Sequence, residues 1–234
     1  MEKQLHLIAS DFVAFYREVS RHSVLTPEGL NMEAFQAVFD RMHVEYLHYA
    51  GSSSTQPFHV EVVENVLQLA AAYLSLPTDV SSTSRAFGLY LVFFLYALQP
   101  SIETSPVKVR VALGTLQSYL DDIADSVEDA KPQPAFAAQL GRRVTDGEKR
   151  ILLALHKAGA WHIMPFVDIS LHLQTLLKVH DAEGVPLGRG GAKTQQPQHQ
   201  MANAVESDTT LSRELGAYEA MKRRLGLDDA LGGS

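Results

Sequence analysis

The distribution of large apolar residues along the chain is helical over most of its length. In residues 5–22 and 35–42 they recur every three or four positions, the spacing that places them on one face of a helix. Residues 57–76 continue the pattern up to Pro77, which cannot extend a helix. Strand-like alternation bounded by hairpin turns is not evident in the first 178 residues. The pattern therefore predicts an all-α fold, a compact bundle of about seven to eight helices.

The most apolar segment covers residues 87–98. Apart from Gly88 and Ala97, every residue in it is large and apolar or a tyrosine. A helix that is apolar around nearly its whole circumference is buried, and this one is too short to span a membrane. We expect it to be the central helix of the bundle, with N-cap oxygens from residues 81–84 and its end at Pro100.

Capping residues predict where the later helices begin. Residues 105–113 start with a serine that can cap and with Pro106, which suits a first helical turn, so we expect a fifth helix there. Residues 145–148 read TDGE, the pattern of a capping box, in front of another apolar run. The last helix of the compact part is expected over residues 161–178, with Pro165 in its first turns.

The composition changes after residue 178. Residues 179–204 are rich in Gly, Gln and Pro and poor in large apolar residues, which predicts a flexible linker. Residues 205–227 are predicted to form a detached amphipathic helix, and residues 228–234 a disordered end. Because a lone helix of this length is marginal in water, we expect it to bind a groove on another surface. The compact helical domain is accordingly predicted to span residues 1–178.

The composition narrows the class of protein. With 234 residues, 46% of them hydrophobic, the chain can bury a core without help from a metal or a disulfide. Cysteine is absent, which suits a reducing compartment, and no secretory signal or membrane segment is evident, so a soluble intracellular protein is expected. The formal charge of −7 disfavours autonomous binding to nucleic acid through bulk electrostatics.

Motifs of catalysis and metal binding are missing from the sequence. It has no glycine-rich phosphate loop, GxSxG elbow or HExxH motif, and its histidine pairs lack the spacing of four that places two imidazoles on one helical face. The acidic residues that follow residue 120 are typical of a solvated helix face. We therefore expect no catalytic residue, no metal, no cofactor and no small-molecule substrate.

Several segments, in order, carry a resemblance to a known family. They are Arg85, the run Gly88-Leu89-Tyr90-Leu91, the pair Leu95-Tyr96 and the element Val109-Arg110-Val111-Ala112-Leu113. Further matches are Phe35, Phe39 and Met42 upstream, and Ala160-Trp161-His162-Ile163-Met164-Pro165 downstream. With these residues the chain resembles subunit 1 of the snRNA-activating protein complex over about residues 11–170. That family has an arginine before a Gly/Ala-Leu-Tyr-Leu run and, after a proline-containing loop, an Ile/Val-Arg-Val-Ala-Leu element.

The resemblance implies a function in transcription. It implies a non-catalytic, nuclear scaffold subunit of a basal factor that binds the proximal sequence element of small nuclear RNA promoters and supports RNA polymerase II and III initiation. The implied partners are a Myb-repeat DNA-binding subunit and a zinc-containing subunit, with TATA-binding protein as a further one. Promoter DNA would be contacted mainly through these partners. The long lysine-rich tail of family members is not present here, so contacts that depend on the tail are in doubt.

Exposed apolar residues at the end of the compact part and on the detached helix are the predicted partner-binding surface, because aromatic and leucine anchors dominate subunit interfaces. These residues are Trp161, Met164, Phe166, Leu173, Leu176, Leu177, Leu211, Leu215, Tyr218, Met221 and Leu225. We expect them to bundle with helices of the Myb-repeat subunit. The candidate contacts to the DNA backbone are Lys108, Arg110, Arg142 and Arg143.

Two other classes of protein remain open from the residues alone. A helical peptide-binding adaptor of the trafficking type is the main alternative, and it would gather Lys and Arg on one membrane-facing surface. A helical enzyme would need a pocket with convergent titratable groups, which the sequence does not indicate.

Overall fold

The computed structural model describes residues 2–21, 25–26, 29–76, 78–100, 105–128 and 144–187. Within these ranges the chain forms seven α-helices, four short strands and two 3-10 helices. The α-helices are α1 (Glu2–Arg21), α2 (Met32–Arg41), α3 (Val60–Ala72), α4 (Thr78–Ala97), α5 (Leu113–Glu128), α6 (Asp146–Lys157) and α7 (Ser170–Ala182). The strands are β1 (Leu25–Thr26), β2 (Gly29–Leu30), β3 (Val109–Ala112) and β4 (Trp161–Met164), and the 3-10 helices are Val44–Tyr49 and Tyr73–Ser75.

The core is built around α4. Phe87 is fully buried, and its ring centroid lies 5.0–5.8 Å from those of Phe15, Tyr16, Phe35 and Tyr73, which come from α1, α2 and the end of α3. Aromatic rings at these distances and mostly tilted or edge-on angles pack favourably beyond the area they bury. The prediction of a buried central helix is confirmed. The helix begins at Thr78, however, so the proposed N-cap at residues 81–84 is wrong.

The buried Arg85 ties α4 to its neighbours. Its Nε–H donates to the carbonyl oxygen of Leu74 at 3.0 Å, and its Nη2 donates to Ser118 Oγ at 2.9 Å. The guanidinium also lies 4.4 Å from the ring centroid of Tyr119. A buried cation needs several partners, and a planar guanidinium can serve them in different directions at once. Arg85 therefore joins the end of α3 to α5 through α4.

The first and last described helices pack against each other. Glu183, just after α7, accepts hydrogen bonds from Ser10 Oγ and Arg17 Nη2 of α1, each at 2.7 Å. On α7 the Nδ1–H of His180 donates to the carbonyl oxygen of Val185 at 2.9 Å, so its Nε2 accepts from the Tyr73 hydroxyl, also at 2.9 Å. Burial lowers the pKa of His180 and keeps the ring neutral.

The end of α7 lies beyond the predicted end of the compact domain. The helix continues to Ala182, and Val185 is buried against the same core. The division into residues 1–178, 179–204, 205–227 and 228–234 remains a prediction, because the residues after 187 lie outside the described part of the chain.

Two predicted helices are partly strand. Residues 109–112 form β3, which pairs in parallel with β4, so the fifth helix begins at Leu113 and not after Ser105. Residues 161–164 form β4, and α7 begins only at Ser170, which corrects the helix predicted over residues 161–178 and places Pro165 before it. The fold is therefore mostly helical, but not all-α. Both strands contain β-branched or aromatic residues, which favour extended pairing when a partner strand is near.

Candidate functional site

An apolar groove lies between α5, α6 and β4 and encloses about 430 Å³. We name it the α5–α6 groove, and it is lined by Leu113, Leu116, Gln117, Leu120, Lys149, Leu152, Leu153, His156, Trp161 and Ile163. Seven of these ten residues are apolar. A concave surface with an apolar lining and a few polar groups is the ordinary shape of a binding site.

The lining follows directly from the periodicity of the three elements. The lining residues of α5 stand at relative positions i, i+3, i+4 and i+7, as do those of α6, so each set lies on one face of its helix. Trp161 and Ile163 are two apart on β4 and therefore point to the same side of the strand. The helix α6 is fixed at its start by a capping box, in which Glu148 N–H donates to Thr145 Oγ1 at 3.2 Å. This capping box was predicted from the sequence and is confirmed.

The groove leaves large apolar side chains in solvent. Leu113, Leu120, Leu153 and Ile163 remain between 48% and 54% exposed although all four line the same depression. Single exposed leucines are normal on protein surfaces, but several that converge on one concave patch mark a site of interaction. The groove is therefore the surface at which we expect another molecule to bind.

Basic side chains flank the groove on α6. Arg150 and Lys157 are exposed. Arg150 stands three residues before Leu153 and Lys157 four residues after it, so both lie beside Leu153 on the surface of α6. Within the described residues neither forms an ion pair. The neighbouring Lys149 is balanced by Asp146, whose carboxylate lies 3.5 Å from its Nζ. The uncompensated charge beside the groove on α6 is therefore positive.

The predicted partner-binding residues of the compact domain fall in four environments. Trp161 lines the α5–α6 groove. Phe166 is 74% exposed in the segment after β4, and Leu177 is exposed on α7. Met164 and Leu173 are half-buried. Leu176 is fully buried, so it belongs to the core and offers no surface to a partner.

Most of the groove was missed from the sequence. Leu113, Leu116 and Leu120 of α5, and Leu152 and Leu153 of α6, were not among the predicted contacts. Their helical spacing was visible, but spacing alone does not tell which apolar face the rest of the domain leaves uncovered. The predicted contacts Leu211, Leu215, Tyr218, Met221 and Leu225 lie outside the described residues.

Two of the four candidate DNA contacts lie among the described residues. Lys108 is exposed just before β3. Arg110 is also exposed, and its Nη2 lies 3.7 Å from the carboxylate of Glu64, which offsets part of its charge. Burial lowers the pKa of the nearby His172, and the Arg110 charge lowers it further. Arg142 and Arg143 lie outside the described residues, so the four candidates cannot be placed on one surface.

Among the described residues, no helix combines the length and the apolar character needed to cross a membrane.

One comparison with known proteins identifies the family. The family model described as small nuclear RNA activating complex (SNAPc), subunit 1, matches residues 15–139, which is more than half of the 234 residues. The matched range includes α5, one wall of the groove, and ends before α6 and β4. No curated protein matches the chain significantly. The resemblance inferred from the sequence is confirmed, and the chain belongs to the family of subunit 1 of the small nuclear RNA activating complex.

Proposed function

We propose that this chain is a non-catalytic scaffold subunit that holds other subunits of the small nuclear RNA activating complex through its α5–α6 groove. Membership of the family gives the chain a role in that complex and therefore partners among its subunits. The specific partners in our proposal are the Myb-repeat DNA-binding subunit and the zinc-containing subunit, with TATA-binding protein as a further one. The assembled complex would bind the proximal sequence element in the nucleus and support initiation by RNA polymerases II and III.

The observation that carries the proposal is the exposed apolar lining of the groove. Leu113, Leu120, Leu153 and Ile163 would each lose solvent contact if a partner segment filled it. Each fully buried leucine or isoleucine contributes about 1.5–3 kcal/mol relative to an exposed one, so four half-exposed side chains offer a substantial share of an interface. Trp161 lines the same groove, and a few central residues, often aromatic ones, carry most of the binding energy of an interface.

The charge balance supports DNA binding through partners. The formal net charge of the chain is −7, which opposes approach to the phosphate backbone. Of the candidate DNA contacts, the described residues include Lys108 and Arg110, and Glu64 partly balances the charge of Arg110. A subunit of this charge is better suited to hold DNA-binding partners than to read the promoter by itself. The family is also one of transcription-factor subunits, which favours this function over the trafficking adaptor and the helical enzyme.

The test is reconstitution with a charged substitution in the groove. The wild-type chain is co-expressed with the Myb-repeat and zinc-containing subunits, and the product is analysed by size-exclusion chromatography and by a mobility shift on the promoter element. Leu153→Glu places a carboxylate at the groove, and we expect at least about tenfold weaker assembly, because a charge must then be desolvated. Leu7→Glu is the matched control, since Leu7 is 65% exposed on α1 and does not line the groove.

Both variants should retain the thermal unfolding midpoint of the wild-type chain, because both positions are exposed. Co-elution and a supershift that survive Leu7→Glu but are lost with Leu153→Glu would support the proposal. A wild-type chain that co-elutes with neither subunit would contradict the scaffold role. Equal assembly by the two variants would show that the groove is not the interface.

A further inference from the structure

The two outer edges of the small parallel sheet β3–β4 differ in how their main-chain groups are paired within the described residues. Parallel sheets usually have several strands, and crossover helices cover both of their faces. In the described part of the chain this sheet has only two strands. Whether the outward N–H and C=O groups on its two edges have hydrogen-bond partners therefore indicates whether a further strand can pair with it.

A side chain of α3 caps one main-chain group on the outer edge of β3. Val109 N–H donates to the carbonyl oxygen of Ala160 at 2.8 Å, so the main chain of Val109 faces β4 and that of Arg110 faces the opposite way. The outward carbonyl oxygen of Arg110 accepts a hydrogen bond of 2.8 Å from Nε2 of Gln68, a buried residue of α3. A side chain from a packed helix thus binds one main-chain acceptor that a third strand would otherwise bind.

On the outer edge of β4 no described residue supplies such a cap. In the same ladder His162 and Met164 direct their main-chain groups toward β3, so those of Trp161 and Ile163 point away from the sheet. No main-chain N–H or C=O of Trp161 or Ile163 forms a hydrogen bond to any described residue. Since unpaired strand edges are templates for another strand, this edge is available for pairing.

The open edge adjoins the α5–α6 groove. The side chains of Trp161 and Ile163 line the groove, whereas their main-chain groups form the open edge. A strand added beside β4 would alternate its side chains between the two faces of the sheet, so every second one would lie beside these two residues and face the groove. On the α6 side of the groove the exposed Arg150 and Lys157 would favour acidic residues in the added segment, whereas the α5 side carries Asp121, which is hydrogen-bonded to Gln117.

We propose that β4 is completed by an extended segment of another subunit of the complex, which adds a third strand at the edge of Trp161 and Ile163. The segment has apolar side chains at alternate positions, which enter the α5–α6 groove, and acidic residues at its flank. The inference rests on the scaffold function proposed above and specifies how the groove is filled. It also replaces the helix expected from the sequence, because an added strand pairs with the outward main-chain groups of β4 and a helix cannot.

Residue-resolved amide hydrogen exchange tests the strand directly. It is measured on the free chain and on the chain co-purified with the Myb-repeat and zinc-containing subunits. We expect the amides of Trp161 and Ile163 to exchange at least about tenfold more slowly in the complex, because they become hydrogen-bonded. The amides of His162 and Met164, already paired with β3, are the internal reference and should change little. A complex in which the Trp161 and Ile163 amides exchange as in the free chain would overturn the inference.

A proline substitution separates main-chain pairing from side-chain packing. Ile163→Pro removes the outward N–H and leaves the pairing with β3 intact, as proline is tolerated on a strand edge that faces away from the ladder. Ile163→Ala removes the same side chain but keeps the N–H. We expect assembly of Ile163→Pro to be at least about fivefold weaker than that of Ile163→Ala, because a partner carbonyl is left unpaired. Equal assembly would contradict the strand.

The two proposals fail in different ways. If the wild-type chain does not co-elute with the other subunits, both the scaffold function and the added strand are refuted. If it co-elutes but its Trp161 and Ile163 amides are unprotected, only the added strand is refuted. Should Ile163→Pro fail to fold, as judged by its unfolding midpoint against Ile163→Ala, the exchange measurement on the wild-type chain decides alone.

Discussion

The close approach of α3 and α4 at Gly88 gives the sharpest prediction about the fold. A Cβ at position 88 would lie 2.3 Å from the Cβ of Tyr73 and 3.3 Å from the carbonyl oxygen of Ala70. Carbon atoms in contact are normally about 3.5–4.0 Å apart, so Gly88→Ala must separate the two segments by more than about 1 Å. Neither obstructing atom is at the end of a flexible side chain, so the strain cannot be relieved by a rotamer change.

The net effect is the difference between two terms. Overpacking of a tight core costs about 1–3 kcal/mol, and the upper end applies here because two main chains must move. The higher helix propensity of alanine stabilises the helix by about 1 kcal/mol relative to glycine. We therefore expect Gly88→Ala to lower the free energy of unfolding by about 2 kcal/mol, which corresponds to a fall of about 4–8 °C in Tm for a domain of this size. Family members with alanine at this position should hold these two segments further apart.

Gly114→Ala is the matched control. Gly114 lies near the start of α5, and a Cβ there would meet no atom within 4 Å. The same chemical change should therefore be neutral or stabilise by up to about 1 kcal/mol. Urea and thermal unfolding, followed by far-ultraviolet circular dichroism and by the fluorescence of Trp161, measure both variants. A Gly88→Ala protein as stable as Gly114→Ala would refute the argument from close packing.

Three further predictions concern local interactions. Thr145→Ala removes the side-chain acceptor for Glu148 N–H and should cost about 1 kcal/mol in urea unfolding. Tyr73→Phe leaves Nε2 of the buried His180 without its donor and should cost about 1–3 kcal/mol, whereas a loss below 0.5 kcal/mol would contradict the bond. Burial lowers the pKa of His48 and His180 below the unfolded value near 6.5, so the unfolded state binds more protons below that pH. The contribution of these two histidines to the free energy of unfolding is therefore fully present above about pH 6.5 and is lost as the pH falls. The loss is up to about 1.4 kcal/mol per pH unit for each histidine that stays neutral in the folded state. Unfolding curves recorded from about pH 7.5 to about pH 5 measure this slope.

The helices that could be predicted from the sequence are those whose signals lie within the helix itself and do not depend on the elements packed against it. The stripe of α1, the apolar segment of α4 and the capping box before α6 are all encoded within a few neighbouring residues. The strands β3 and β4 were not predicted because each is stabilised as a strand only by pairing with the other. Val109 pairs with Trp161 from a distant part of the chain, so no hairpin turn in the sequence indicates the pairing.

The candidate site was only partly predictable for a related reason. Trp161 could be singled out as a large aromatic residue beside an apolar run, and it does line the groove. Which apolar residues of α5 stay uncovered depends on where the parallel sheet places β4 beside that helix. This information belongs to the tertiary structure, so Leu116 and Leu120 could not be distinguished from core leucines by their spacing.

The packing of α1 against α7 has a consequence for how the chain is made. Ser10 and Glu183, which are hydrogen-bonded in the folded domain, are separated by 173 residues in the sequence. At about 5–20 residues per second, a ribosome needs roughly 10–35 seconds to proceed from one to the other. During that interval the buried stripe of α1 lacks the helix that completes its cover. The newly made chain therefore presents aromatic residues of α1 to chaperones and to neighbouring chains until α7 has emerged.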